Sequence, residues 1–214
     1  MAETQALATR RPRGTPRRLL LAAARDLFAR QDYRSTTTRE LAEHAGVREH
    51  LLFRTFGSKA ALFREALVVP FVELVDAFAA AWPAIVPETA VEEDVGRGFL
   101  GALYDLFVEN RGLVLTLSVA DSLSDEELAE AGIRDIERAL ALIGRIGSEG
   151  ILLKGMHSNH HELAARSTVA MVAGMATFGT TLFGGRPPSR DDIVEELTQM
   201  TLRGFLHRDH GDDQ

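Results

Sequence analysis

Four side chains with strong hydrogen-bonding capacity stand close together between positions 48 and 54: Arg48, Glu49, His50 and Arg54. Apolar Leu51, Leu52 and Phe53 lie among them, and a short helix from about Arg48 to Thr55 would bury Leu51 or Leu52 and leave the polar groups outside. Guanidinium, imidazole and carboxylate groups can donate to and accept from base edges in a major groove about 12 Å wide. The same pattern also fits the solvated surface of a plain three-helix bundle, because this packing unit is common. Other candidate chemistry is sparse. His157, His160 and His161 are the one histidine cluster, but His160 and His161 point apart on a helix and no carboxylate pattern accompanies them, so no metal site is expected. With no cysteine in the chain, disulfides, zinc-thiolate sites and cysteine nucleophiles are excluded. No serine elbow, phosphate-cradling glycine loop or H-E-x-x-H occurs, so neither an enzyme nor a cofactor is expected. A helical enzyme with a site assembled from distant residues stays as a remote alternative.

Charge is unevenly spread along the 214 residues. The chain carries 24 Lys and Arg against 31 Asp and Glu, yet residues 1–65 have a net charge of +6 and residues 66–214 a net of −13. An acidic protein with one basic end points to a local polyanion-binding module. A solvated tail is the competing explanation, since Arg10, Arg11 and Arg13 supply half the excess. The start of the chain has no apolar stretch of the signal-peptide kind, which predicts a cytoplasmic protein. Residues 167–185 lack charge over 19 positions, but glycine, serine and threonine make up nine of them, so a tightly packed buried helix is expected and not a membrane span.

Helix signals dominate the elements that must position these residues. Thr15-Pro16 reads as an N-cap followed by proline at the first helical position, with Leu20, Ala23, Ala24, Leu27 and Phe28 repeating at helical spacing. Thr37 and Glu40 form a capping box for a short helix that Gly46 should end. Gly57-Ser58 then caps a longer helix. Two short helices joined by a tight Gly-Val turn after a longer one make a helix-turn-helix arrangement. Further helices are predicted near 58–81, 89–110, 112–121, 124–149, 160–183 and 189–206. Pro70 should kink or interrupt the first of these, and Pro83 with Pro87 should delimit a loop. The fold class is therefore all-α, divided into a flexible basic arm (1–14), a helix-turn-helix domain (15–60), a larger helical domain (61–206) and a polar tail (207–214).

The segments Thr37 to Val47 (TTRELAEHAGV) and Leu52 to Leu62 (LFRTFGSKAAL) closely resemble the DNA-binding domain of TetR-family transcriptional regulators. The resemblance covers roughly residues 15–65. It rests on the T-x-R-[ED]-[IL]-A helix, the A-G-V turn, the aromatic Phe53, and F-x-S-K from Phe56 to Lys59. It implies a DNA face made of Thr37, Thr38, Arg39, Arg48, Glu49, His50, Phe53, Arg54 and Lys59. Arg39 and Lys59 would contact phosphates, while Arg48 and His50 would read bases. Lys59, a cation at a helix start, opposes the helix dipole and so calls for a partner such as a phosphate. Arg17 and Arg18 raise the same argument, and Arg10 to Arg13 could enter a minor groove. Departures from the family pattern are Arg48 for Ser, His50 for Gly, Phe53 for Tyr and Thr55 for a frequent His. Phe53 thus lacks the hydroxyl that in family members commonly touches a phosphate.

The resemblance also implies a ligand-responsive regulator, a repressor that binds a palindromic operator as a homodimer and is released by a small apolar effector. The expected partners are double-stranded operator DNA, an unidentified effector and a second copy of the chain, with no membrane. An adaptor whose helix-turn-helix contacts protein is the alternative. Phe99, Leu103, Tyr104, Phe107, Met171, Met175 and Phe178 are candidates for an apolar cavity, with Tyr104 as polar anchor, although such residues also build ordinary cores. Ala170, Gly174, Thr177 and Thr181 form a small-residue stripe. With Ile193, Leu197, Met200 and Phe205 it would suit a dimeric four-helix bundle of the family type; intramolecular packing is the alternative.

Overall fold

The computed structural model describes residues 15–85, 91–117, 123–153 and 160–206, and these residues form helices without any strand. The expected basic arm, the expected polar tail and Pro87 lie outside the described residues. Helices α1 (Pro16–Phe28), α2 (Thr38–Ala45) and α3 (His50–Phe56) make the amino-terminal unit. Their boundaries follow from local chemistry. Thr15 Oγ1 accepts from the Arg18 N–H at 3.4 Å, and the Thr37–Glu40 capping box is complete in both directions. Gly46 ends α2 at φ 66° and Gly57 ends α3 at φ 83°, conformations that favour glycine.

Helix α4 (Lys59–Phe63) passes through a π-helical turn, Arg64–Val68, into α5 (Val69–Ile85). The expected interruption at Pro70 takes this form. Proline has no N–H to give the carbonyl four residues back, which is that of Ala66. Arg25 of α1 donates its Nε to the Ala66 oxygen at 3.2 Å, so an acceptor orphaned by sequence is satisfied across the fold. Pro83 does not open a loop as expected: α5 runs past it to Ile85.

The remaining elements are α6 (Glu92–Glu109), α7 (Arg111–Leu117), α8 (Asp125–Ala131), α9 (Ile133–Leu153), α10 (His161–Leu182) and α11 (Arg190–Leu206). A single helix over 124–149 was the sequence expectation; Gly132, at φ 75°, breaks it into α8 and α9. The periodicity is nearly continuous across that glycine, which hides a left-handed C-cap. Ser124 and Glu127 form the anticipated capping box at the start of α8.

One core runs through the molecule. Phe28, Tyr33 and Phe63 pack with ring centroids 5.0–6.1 Å apart and join α1, the loop after it and α4. Buried Leu20, Leu41, Leu52 and Leu62 surround them. Farther along, α10 packs on α6 and α9, α11 on α6, and α5 on α9. Arg190 grips Asp105 through Nε and Nη2 at 2.7 and 2.6 Å, fastening the start of α11 to α6. Among the described residues, no helix is long and apolar enough to cross a membrane.

Candidate nucleic-acid interface

Helix α3 is short because Gly57 stops it, and it is anchored by Leu52 and Phe56, both buried. Its His50, Phe53 and Arg54 therefore face out, while Leu51 and Thr55 are half-buried. Arg48, His50 and Arg54 are exposed and make no side-chain hydrogen bond or ion pair with described residues. Phe53 lies beside them with 49% of its surface exposed, an unusual position for an aromatic that could have been buried. Glu49 differs: Thr38 donates its hydroxyl to the Glu49 carboxylate, linking the start of α2 to the start of α3. Two members of the expected DNA face are thus coupled to each other. Arg39 is exposed and pairs with Glu43 one turn along, at 2.9 Å. The hydrogen bond to Glu43 holds the Arg39 guanidinium above its ordinary pKa, so it is a cation at any working pH.

Lys59 is placed differently from the sequence argument. Its ammonium donates to the carbonyls of Tyr33 at 2.9 Å and Thr36 at 3.0 Å and lies 4.0 Å from the Tyr33 ring centroid. The fold supplies the partners that a cation at a helix start demands, and they occupy two of its three donors. Burial lowers the Lys59 pKa, with Glu127 and Asp32 opposing that shift. The neighbouring loop is held by Asp32, which accepts from the Arg34 and Ser35 N–H groups at 2.8 and 3.0 Å. Arg17 likewise has a partner, an ion pair with Glu65.

The seven residues expected to line one cavity do not come together. Phe99, Leu103 and Met171 line three separate hollows. Phe107 is core, Tyr104 and Met175 pack partly buried against it, and Phe178 is exposed. The stripe expected at a dimer face also divides. Thr177, Ile193 and Leu197 are buried within the chain, because α11 turns its Ile193 and Leu197 toward the core. Ala170, Thr181 and Met200 are exposed, and a Cβ added at Gly174 would meet nothing within 4 Å. Missed by sequence reasoning was the exposed Leu163 on the same helix, whereas Leu182, which continues the large-residue stripe of Met171, Met175 and Phe178, is also exposed. The spacing of Leu163 from Gly174 and Phe178 was the available signal. His157 lies outside the described residues, and no metal-holding cluster occurs among those described.

Residues 20–66 match the model of the bacterial regulatory proteins of the tetR family. Among curated proteins none matches the chain. The fold is similar to that of a bacterial regulatory protein in the tetR family from Rhodococcus RHA1, at 22% identity over 90% of this chain and 97% of that one, with a TM-score of 0.67. It is similar also to the TetR-family transcriptional regulator PfmR from Thermus thermophilus, at 23% identity, 86% and 97% coverage and a TM-score of 0.63. A third similar structure is the transcriptional regulator FadR from Bacillus subtilis in complex with stearoyl-CoA, at 14% identity, 87% and 98% coverage and a TM-score of 0.59.

Proposed function

From a chain whose residues 20–66 match the TetR-family amino-terminal domain on a TetR-like helical fold, we infer a ligand-responsive repressor that binds operator DNA as a dimer. The observation that carries this reading is the outer surface of α3 and the turn that leads into it, where Arg48, His50 and Arg54 are exposed with no partner among the described residues. Two such donors on one short helix braced by buried Leu52 and Phe56, with Arg48 in the turn before it, are poised to meet base edges. Arg39 and the start of α2 contact the phosphate backbone, where N–H groups and positive charge favour anions. Lys59 has one donor left for the same purpose. Residues 15–60 act as the reading unit and residues 61–206 as the effector and dimerisation unit.

Dimerisation is supported by the outer face of α10 and α11. Leu163, Phe178, Leu182 and Met200 are exposed there, flanking Gly174, which allows close approach of a second backbone. Two copies of α3 would enter successive major grooves about 34–36 Å apart. A ligand that favours a different separation releases the DNA. About 100-fold differential affinity corresponds to roughly 2.7 kcal/mol of coupling, within the ordinary allosteric range.

The test is binding to duplexes selected from a random pool, followed by fluorescence anisotropy across a salt series. Counterion release predicts a linear fall of log affinity with log salt, steeper as more phosphates are neutralised. Absence of salt-sensitive duplex binding would overturn the reading and favour an adaptor.

A further inference from the structure

Between Gly46 and Gly57 the chain has a single acid, Glu49, set beside Arg48 and His50. Its side chain is exposed, and a negative charge there is repelled by the phosphates of any duplex. The acids of α2 have local work: Glu40 closes the capping box and Glu43 pairs with Arg39. Glu49 has none on its own helix. It stands at the N-cap of α3, yet its side chain makes no cap hydrogen bond. Its Oε1 accepts the Thr38 hydroxyl instead, while Oε2 has no hydrogen-bond partner among the described residues. The Glu49 backbone is already helical, at φ −53° and ψ −40°, so its side chain shares a face with the exposed Phe53 one turn on. The carboxylate is thus restrained at one oxygen and open at the other, on the surface assigned to base reading.

An ionised carboxylate can only accept hydrogen bonds. On the major-groove edge guanine shows two acceptors, and thymine one acceptor and a methyl, so either base would leave the charge desolvated and unpaired. Adenine offers its N6 amino group, but the N7 acceptor lies next to it and repels the second oxygen. Cytosine presents the N4 amino group with no acceptor beside it, which makes it the base a carboxylate fits best. An acid in this position therefore lowers affinity for every duplex and recovers it only where a cytosine amino group is met. Selectivity against other sequences gains from that arrangement.

We propose that Glu49 reads a cytosine in each half-site of the operator, with Thr38 as the positioning residue that restrains its carboxylate. The inference rests on the regulator reading and names a base which that reading leaves open.

Wild type, Glu49→Gln, Glu49→Ala and Thr38→Val are each used, as the full chain, to select duplexes from a random pool. Anisotropy then compares the four base pairs at each position of the selected duplexes. Wild type should take cytosine at one position of each half-site and bind at least about fivefold more weakly when another base replaces it. Glu49→Gln keeps an acceptor for Thr38 and adds an amide donor, a pair of groups that fits adenine N6 and N7. It should lose the preference for cytosine and gain one for adenine at that position. Glu49→Ala should accept any base there and bind random duplexes more tightly, because a charge that repels phosphate is gone. Thr38→Val should reduce the ratio between cytosine and the other bases while cytosine stays first. A Glu49 that merely clamps α2 to α3 predicts a different pattern: weaker binding of Glu49→Ala to every duplex, with no base preference changed. Cytosine retained in both Glu49 variants, or a base other than cytosine at the position they alter, overturns the assignment. An undiminished ratio in Thr38→Val overturns its positioning role. If wild type shows no salt-sensitive duplex binding, the regulator reading fails and this inference with it. Salt-sensitive binding with the same base preferences in all four proteins overturns this inference alone.

Discussion

Arg48, His50, Phe53 and Arg54 are side chains that the fold leaves exposed, and predictions at this scale follow from their chemistry. Arg48→Ala should relax preference at particular base pairs by about 1–3 kcal/mol while changing affinity for random duplexes little. Phe53 cannot hydrogen-bond, and the apolar group on a major-groove edge is the thymine methyl. Replacing thymines of a selected duplex by uracils should therefore weaken wild type by roughly 1 kcal/mol per lost methyl contact. The same replacement should leave Phe53→Ala indifferent, and equal sensitivity in both proteins would refute the contact. Tyr33 offers a prediction of another kind. Burial first, then the charges of Glu127 and Glu130, push its phenol up to about 12 from an ordinary value of 10.0. The unfolded chain ionises first, so the folded form holds more protons between those values and stability falls as pH rises from about 10 to 12. The shift corresponds to about 2–3 kcal/mol. Chemical denaturation at pH 9 and pH 11.5 should show a smaller alkaline loss in Tyr33→Phe than in wild type; identical losses would exclude Tyr33 as the source.

At the scale of elements, α7 is one of the contacts through which the larger helical part touches the amino-terminal unit, beside α8 on α4. A Cβ at Gly112 would lie 1.7 Å from the Phe28 carbonyl oxygen, so α7 sits directly on the end of α1. Thr116, one turn on, accepts from the Tyr33 N–H at 3.3 Å and donates to the Gly112 carbonyl at 2.8 Å. Gly112→Ala must push α7 off α1, at a cost of about 1–3 kcal/mol, which in a chain of this size lowers the melting temperature by roughly 2–12 °C. Gly98, inside α6 with nothing within 4 Å of an added Cβ, is the control. There Ala should be neutral or stabilising by up to about 1 kcal/mol, because it removes the entropic penalty of helical glycine. Equal melting curves for the two variants would show that the α1–α7 contact is not a constraint. The pairing of Arg25 with the carbonyl left free by Pro70 ties α1 to the start of α5 in the same way. Tension on α5 or α7 thus has two direct routes to α1.

Across the whole molecule, residues 66–214 carry a net −13 and residues 1–65 a net +6, an asymmetry that under the proposed function would present the basic end to DNA. In the proposed dimer, assembly rests on the exposed face of α10 and α11. Because Gly174 faces open space in the single chain, Gly174→Leu should fold with an unchanged melting curve at low concentration but fail to associate. Operator affinity should then collapse, since one half-site loses its partner. Light scattering on both proteins tests this; a monomeric wild type at micromolar concentration, or a dimeric Gly174→Leu, would sink the dimer. The mutant is informative because a Cβ there meets nothing within 4 Å inside the chain.

Local chemistry made the helices, their caps and the exposed polar surface around α3 legible from the chain alone. Thr15, Thr37 with Glu40, Gly46 and Ser124 with Glu127 act within four residues of themselves, so their roles need no knowledge of the fold. Arg48, His50 and Arg54 were legible for the same reason, since a short helix with a buried Leu52 and Phe56 has only one side left. Facing on long helices was not. A stripe on α10 or α11 is apolar whether it meets the core, a cavity or another chain, and only the neighbours decide among these. Hence Thr177, Ile193 and Leu197 proved buried while Phe178 and Leu182 stayed outside, and Phe99, Leu103 and Met171 went to three different hollows. Lys59 shows the same division in one residue. Its charge at a helix start required a partner by sequence alone, but that the partners are the carbonyls of Tyr33 and Thr36 depends on a loop more than twenty residues away. Tertiary structure chose the partner because such contacts are set by the packing of whole elements, which nearest-neighbour chemistry does not encode.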